Sequence, residues 1–457
     1  MNFKILEYVR YLMFFISLQV LSAGTTGKIS GNVKSKANGE ALIGANVMVN
    51  GTPYGAATDL KGDYFILQVP PGNYSVKFAM IGYQTLTVDN VKVRVDLTSS
   101  VDAVLNEGTV GLEEVVVQAE RPMIQTDVTY SQANISSEEV EMLPVEEFED
   151  ILSLQAGVVS SGGEIHVRGG RGGEISYMVD GITVTDPYDS GIAVEIENNA
   201  IQELQFISGT FNAEYGQAMS GIVNIVTKDG SYKSFKGNIS SSLGDYFTNN
   251  PIFPELMKTN LNNVSDLKAN FEGPIIPEKI SLFTSGRINR NNGYLHGEQI
   301  FYPNSFLWSD SENTFNIDST IGLGNNFIPD LNDTLKNIID SLRNNNSFDQ
   351  ISMNWIEQRT VQSKISYRIT SKIKFGYNWM YSDTKSQSYS KLYLWNPLGR
   401  SYSFNTRIGN IFRADISINP STFANIMYSN ATNHYRTHLS DDSQYFKVIE
   451  EADNVFT

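Results

Sequence analysis

Four histidines and one glycine–arginine run are the places where this 457-residue sequence could carry chemistry. His434 and His438 lie four apart, a spacing that puts both on one face of a strand and could bind a metal. With no H-E-x-x-H and no cysteine, the simpler reading is four unconnected histidines (His166, His296, His434, His438) and no metal site. The run Arg168, Gly169, Gly170, Arg171, Gly172, Gly173 could cradle a phosphate through its backbone N–H groups. A dinucleotide site, however, needs a strand, a tight turn and then a helix. Here short β-like runs flank the glycines on both sides, and no G-x-x-x-x-G-K-[ST] occurs. The expectation is no cofactor, no catalytic constellation and no enzyme. A hydrolase in particular lacks its ligands.

The elements around these residues divide the chain. Lys4 and Arg10 precede an apolar run at 11–21, and Ser22, Ala23 and Gly24 follow. That is the pattern of a cleaved secretory leader, 1–24, rather than a retained anchor. The run is shorter than the about 20 residues of a spanning helix, so any membrane span must be built of strands. Residues 27–106 read as short alternating strands with turns at Asn50-Gly51, Lys61-Gly62 and Pro71-Gly72-Asn73, a small β-sandwich. Residues 107–120 read as a linker holding one β-prone hexad: Leu112, Glu113, Glu114, Val115, Val116 and Val117. Such a segment could add to a partner's sheet edge or be the first strand of the next domain. In 121–233, Ser136 and Glu139 form a capping box, and a second helix begins at Pro144 with Val145, Phe148, Ile151 and Leu152 on one face. Glu146, Glu147, Glu149 and Asp150 then fall on its solvated side.

Charge is concentrated in one part. Of the net −16, residues 107–233 carry −17 (5 basic, 22 acidic), while 234–457 carry −1 (20 basic, 21 acidic). An acidic segment excludes nucleic acid as its partner, since a phosphate backbone needs a basic face. Much of it is expected to be solvated surface.

From residue 234 onward strands dominate. Ile365, Tyr367 and Ile369 alternate with Lys364, Ser366 and Arg368; after Thr370-Ser371, Ile373, Phe375, Tyr377, Trp379 and Tyr381 alternate with polar residues. Strands near 235–244, 266–273, 280–290, 361–369, 372–382, 411–418 and 422–430 would be joined by alternating short turns and long loops. The longest loop, 291–360, has room for a small helix at 335–342. Apolar-out, polar-in strands with that asymmetry are the pattern of an outer-membrane barrel. Seven strands cannot close a barrel of about 22, so 234–457 is expected to be the N-terminal part of a truncated one.

Two stretches tie these parts together. The first is 165–181, ending in Asp180-Gly181, and the second is 211–228. Together they resemble the plug domain of TonB-dependent outer-membrane receptors. Residues 55–66 and 69–85 resemble the carboxypeptidase regulatory-like, transthyretin-like module, an accessory domain without peptidase activity. The fold class expected is mainly β: an N-terminal β-sandwich, a mixed α/β plug, and the first strands of an incomplete antiparallel transmembrane β-barrel. The resemblance implies a receptor in the outer membrane with its N-terminal domain in the periplasm. Its implied partners are a TonB-type periplasmic energy transducer, outer-membrane lipid and an extracellular ligand of unknown identity. It implies a TonB contact in or near 112–117, a structural role for Arg168, Gly169, Gly170, Arg171, Asp180 and Gly181, and ligand contact in a plug loop containing Asp186, Tyr188 and Asp189. Arg168 and Asp180 are expected to share a buried pair or network, with Arg171 facing the barrel wall. The alternative is a surface or adhesion protein of the same build that transports nothing, as in the Oar group. The segment 212–221 looks unlike that of SusC-type glycan importers.

Overall fold

The structure, a computed structural model, describes residues 24–108, 115–118, 131–143, 145, 147–162, 164–186, 190–209, 211, 218–250, 253–299, 306–309, 314–317, 348–370, 372–419 and 422–438. The expected leader, the expected helix start at Pro144, the segment 212–217 and the expected helix at 335–342 lie outside these residues.

The first body is a two-sheet sandwich. One sheet holds β1 (Gly27–Ser35), β4 (Asp63–Val69), β7 (Thr98–Ser100) and β8 (Ala103–Leu105). The other runs β3 (Gly55–Ala57), β2 (Asn46–Val49), β5 (Gly72–Ala79), β6 (Leu86–Val93) and β9 (Val115–Gln118). Period-2 alternation aims Ile29, Val33, Val47, Val49, Tyr64, Phe78 and Val88 into one buried core. Tyr64 meets Phe78 edge to face at 5.7 Å, and its hydroxyl donates to the carbonyl of Val101 at 2.7 Å. The ninth strand falls in the stretch expected to be a linker. Its valines pair in parallel register with β6, from Leu86↔Val115 to Asp89↔Gln118.

The second body is a mixed five-stranded sheet in the order β10 (Ser131–Ser136), β15 (Ile201–Ser208), β16 (Gly221–Thr227), β13 (Ile175–Val179), β14 (Ile182–Thr183). A separate hairpin joins β11 (Val158–Ser161) to β12 (Glu164–Val167). Helix α1 (Ser137–Met142) opens on the expected capping box, with Ser136 and Glu139 bonded reciprocally. Helix α2 (Phe148–Ser153) starts later than Pro144, on an uncapped Glu147, and buries Phe148, Ile151 and Leu152 against the sheet.

The third body is a seven-stranded antiparallel meander: β17 (Lys236–Gly244), β18 (Val264–Ile276), β19 (Ile280–Asn291), β24 (Ile356–Thr370), β25 (Ile373–Ser386), β26 (Tyr402–Asn419) and β27 (Thr422–His438). The β19–β24 connection carries two hairpins, β20 (His296–Glu298) with β23 (Gln350–Ser352) and β21 (Phe306–Ser309) with β22 (Thr314–Ile317). Ile365, Tyr367, Ile369, Phe375, Phe412, Ile426 and Tyr428 are exposed on one face, whereas Lys364, Ser366, Asn378 and Asp415 are buried on the other. Apolar groups outside and polar groups inside is the pattern of a wall facing lipid. β17 and β27 are both edges, so the wall is an incomplete barrel. Several strands run past their apolar stripes; β26 begins at Tyr402, not near 411. Beyond the apolar stripes the ladder continues and is joined by cross-strand side-chain contacts, such as the Thr406 hydroxyl donating to Asp383 at 3.0 Å. Among the described residues no helix is long and apolar enough to cross a membrane.

Candidate functional site: the plug and its seats on the wall

Two tight turns shape the glycine–arginine run. Arg168 and Gly169 have φ of +50° and +79°, and Asp180 and Gly181 have +48° and +83°. Paired positive φ values are those of a type I′ hairpin turn, which glycine adopts without strain. The second turn links β13 to β14 and brings the Asp180 side chain to the end of β16. There its carboxylate accepts from the Thr227 N–H at 2.9 Å and the Thr227 hydroxyl at 2.7 Å.

The expected Arg168–Asp180 network is not what forms. Arg168 is exposed, its N–H bonded to the Gly157 carbonyl at 2.7 Å and its guanidinium beside Gly209. Arg171 is also exposed, with its N–H on Glu174 Oε2 at 3.2 Å. Asp180 instead turns to the wall. Lys364 Nζ of β24 lies 3.1 Å from its Oδ2, and Asn378 Nδ2 of β25 donates to the same oxygen at 3.0 Å. Lys364 also lies 3.0 Å from Asp229 Oδ1 and donates to the Thr227 hydroxyl at 3.0 Å. Lys374 of β25 closes the cluster on Asp229 Oδ2. Burial would raise the Asp229 carboxyl, but Lys364 and Lys374 outweigh it and hold it below the usual carboxylate range. This cluster is a latch: two plug-side carboxylates, two wall lysines.

A second seat lies along 195–199. Arg407 of β26 donates to Glu195 Oε2 at 2.7 Å, and Thr360 of β24 donates to Glu197 Oε1. Arg287 of β19 lies 3.7 Å from Glu197 Oε2 while holding Asp266 through two bonds of 2.9 and 3.1 Å. Burial raises the Glu197 carboxyl, against the Thr360 bond and the Arg287 charge. Glu149 of α2 is half-buried near Glu195, and burial together with that charge pushes it up to about 8. Glu147 and Asp150 are exposed as expected of a solvated face, but Glu149 is not. The acidity of 107–233 is therefore in part an internal surface matched to basic wall residues.

Asp186 is buried, and its carboxylate accepts from Asn433 of β27 at 2.8 Å, so it too touches the wall. Tyr188 and Asp189 lie outside the described residues, as do Leu112, Glu113 and Glu114 of the hexad. Val116 and Val117 are exposed on β9. His434 is exposed and the His438 ring stacks on Phe404 at 4.2 Å. Among the described residues no group of three or more His, Asp or Glu is arranged to hold a metal.

The sandwich sits against both other bodies. Arg368 of β24 lies over the Tyr232 ring at 4.0 Å and the Tyr54 ring at 5.8 Å. Ser417 of β26 donates to Gln68 at 2.6 Å, and Gln202 of β15 donates to the Pro71 carbonyl at 3.1 Å. Glu203 accepts from the Val95 N–H at 3.3 Å and from Asn134 at 2.5 Å. Burial pushes Glu203 up to about 7 against those two bonds. A cavity of about 1020 Å³ lies in the seam, lined among others by Tyr54 and Tyr74 of the sandwich, Thr227 and Asp229 of the plug side, and Lys374 and Arg413 of the wall.

Sequence reasoning missed Lys364, Lys374, Arg287 and Arg407 as plug partners. The available signal was charge at inward positions of strands whose alternate residues are apolar, since a buried charge requires a partner.

A small mixed sheet fastened by ion pairs to the polar face of a lipid-facing wall defines a class, the outer-membrane barrels that carry a plug. The comparisons with known proteins are more particular. A family model for the CarboxypepD_reg-like domain matches residues 29–117, and one for the TonB-dependent receptor plug domain matches 124–223. The chain thus carries a TonB-dependent receptor plug behind a carboxypeptidase regulatory-like domain. It is 26% identical over 243 residues to the TonB-dependent transporter Oar of Myxococcus xanthus, covering 50% of this chain and 23% of Oar. It is 30% identical over 232 residues to TonB-dependent receptor P39 of Formosa agariphila, covering 48% and 21%. It is 29% identical over 251 residues to the TonB-dependent receptor SusC of Bacteroides thetaiotaomicron, covering 50% and 24%. The matched part is about a quarter of the length of these curated relatives. Among solved structures, the outer membrane transporter YddB of Escherichia coli aligns with a TM-score of 0.44 at 11% identity, covering 66% of this chain and 39% of that one. The divergence seen at 212–221 therefore does not separate this chain from SusC, and the Oar group that served as the non-transporting alternative includes a protein named a transporter.

Proposed function

We propose that the protein is an energy-coupled outer-membrane receptor. An extracellular ligand binds at the plug apex and outer loops, with the loop containing Asp186, Tyr188 and Asp189 as one contact. A TonB-type transducer engages the segment around 112–117 from the periplasm, where the sandwich also lies, and the plug rearranges to let ligand pass. No covalent chemistry is involved; the ligand need only favour one plug state over another.

One observation carries this reading. The plug is held to the wall chiefly by ionised and hydrogen-bonding groups, with Asp180, Glu195, Glu197 and Asp229 facing Lys364, Arg407, Arg287 and Lys374. Charged groups regain hydration when they part, so such a contact can open and re-form in a water-filled space. A permanently fixed domain would be expected to bury a continuous apolar face, and here, among the described residues, the wall adds only Met380 and Ile411 to the plug core. The test is deletion of 112–117 in the full-length receptor. Uptake and binding to a purified periplasmic domain of a TonB-type transducer should both be lost; unchanged binding and uptake would overturn the transport reading.

A further inference from the structure

Plug, wall and sandwich meet on one short stretch at the head of β1. The Gly24 carbonyl accepts from Asn224 Nδ2 of β16 at 3.0 Å, and the Thr25 hydroxyl accepts from Arg413 of β26. The Thr26 carbonyl accepts at 3.1 Å from the N–H of Asp96, in the sandwich turn between β6 and β7. Thr25 is 5% exposed, and Asp96 Oδ1 packs so closely on Gly24 that a Cβ there would lie 1.5 Å from it. These residues fall where the expected leader ends. Ser22 and Gly24 supply the small side chains that a leader peptidase reads at the third and first positions before its cut.

One atom in this joint needs more than the uncut chain gives it. Asn224 is fully buried, and its Nδ2 also donates to Gln205 at 3.0 Å. Its Oδ1 has no hydrogen-bond partner among the described residues. A buried acceptor left unmet is costly, and what satisfies it is a donor. A cut after Gly24 supplies one. Hydrolysis of the Gly24–Thr25 bond by a leader peptidase puts the hydroxyl of one water on the Gly24 carbonyl carbon and its hydrogen on the Thr25 nitrogen. The acid so formed passes its proton to the amine, so a carboxylate departs with the leader and an α-ammonium stays on Thr25. That ammonium lies beside the Asn224 side chain, with the Asp96 carboxylate as the counter-charge that a buried cation requires. Arg413, the neighbouring cation, is itself held on Asp415 at 2.5 Å. Resting on the reading of 1–24 as a cleaved leader, we propose that the processed N-terminus is the ligand of this joint, bound by Asn224 and Asp96. The precursor presents a neutral amide at the same point, so the sandwich locks onto plug and wall only after processing.

Mass spectrometry of full-length receptor isolated from outer membranes first fixes its initial residue, expected to be Thr25. Near neutral pH an amine-reactive reagent then favours the α-amine, whose ordinary pKa is about 8, over lysines at about 10.4. Folded receptor should label at Thr25 at least tenfold more slowly than urea-unfolded receptor. Asp96→Asn removes the counter-charge but keeps the turn, because Asn accepts the φ of +58° found there. It should raise labelling of the folded protein at least fivefold. Two glycines inserted after Gly24 would carry the ammonium about 7 Å from its seat and should speed proteolytic release of the sandwich about fivefold. Labelling of Thr25 as fast in folded as in unfolded receptor, or unchanged by D96N, would overturn the proposal and leave 24–26 as an ordinary lead-in to β1. A different first residue would overturn it through the cut on which it rests, and the mass shows this before any labelling.

Discussion

Replacing Lys364 with methionine tests whether the latch holds the plug. Lys364 is 8% exposed and touches two carboxylates, Asp180 at 3.1 Å and Asp229 at 3.0 Å. The two would fare differently. Asp229 keeps Lys374 as a partner, so its charge stays compensated. Asp180 is 3% exposed and would keep only the neutral donors Thr227 and Asn378. Removing one member of a buried pair typically costs about 3–5 kcal/mol, because the other charge is left stranded. The hydrogen bonds that Asp180 retains place the expected loss near the lower end, about 3 kcal/mol. The pair of Arg407 and Glu195, with side chains 20% and 22% exposed, should by comparison lose about 1 kcal/mol when Arg407 is replaced by methionine. The assay is urea-induced release of the plug in full-length receptor, followed by protease access to the β13–β14 turn, with the leak of a large antibiotic into cells as a second readout. The double variant D180N/K364M should recover most of the loss, since it removes the stranded charge along with its partner. A K364M effect no larger than that of R407M, or a double variant worse than K364M, would refute the assignment of the latch.

Glu203 makes the seam sensitive to pH. Its carboxyl is raised from 4.5 to about 7 in the assembled protein, so that state holds an extra proton between those values, and stability falls as pH rises from about 4.5 through 7. The full swing is about 3 kcal/mol, and Glu203→Gln should flatten the profile and be the more stable form above pH 7, as read from thermal unfolding across pH. Should the parent itself show no fall over that window, the seam contact is not the one described. Arg368→Ala removes the cation held over Tyr232 and Tyr54. It should weaken sandwich docking by about 1 kcal/mol, seen as faster protease release of the sandwich with the wall unchanged, and an unaltered release rate would exclude that contact as a fastening.

The parts of this fold that the sequence shows are those set by local chemistry. The capping box at Ser136 and Glu139 needs only residues three apart, and the Asp180-Gly181 turn needs only two. Alternation from Lys364 to Arg368 identifies the wall's two faces before any coordinates, because one face meets lipid and the other does not. What lies beyond local reach is pairing between distant charges. Asp180 finds Lys364 rather than Arg168, which is far closer in sequence, because the type I′ turn swings the carboxylate to the end of β16 and onto the wall. β9 was ambiguous for a related reason. Three consecutive valines favour a strand but carry no alternation to say which sheet receives it, and only its register with β6 decides.

The fit of acidic plug to basic wall has a consequence for the wall alone. Lys364, Lys374, Arg287 and Arg407 each find an acidic partner on the plug or on the link that follows it. Within the wall itself Arg287 also holds Asp266, and Lys374 has Asp415 as its cross-strand register partner. In the closed state these opposite charges cancel at close range. Displacing the plug removes its half of that balance at a stroke and leaves cations lining the vacated space. Low-dielectric walls focus such a field along a cleft. Around these four residues the wall would be more positive with the plug out than with it seated. The returning plug would meet the same field as an attraction that guides it back to its seat.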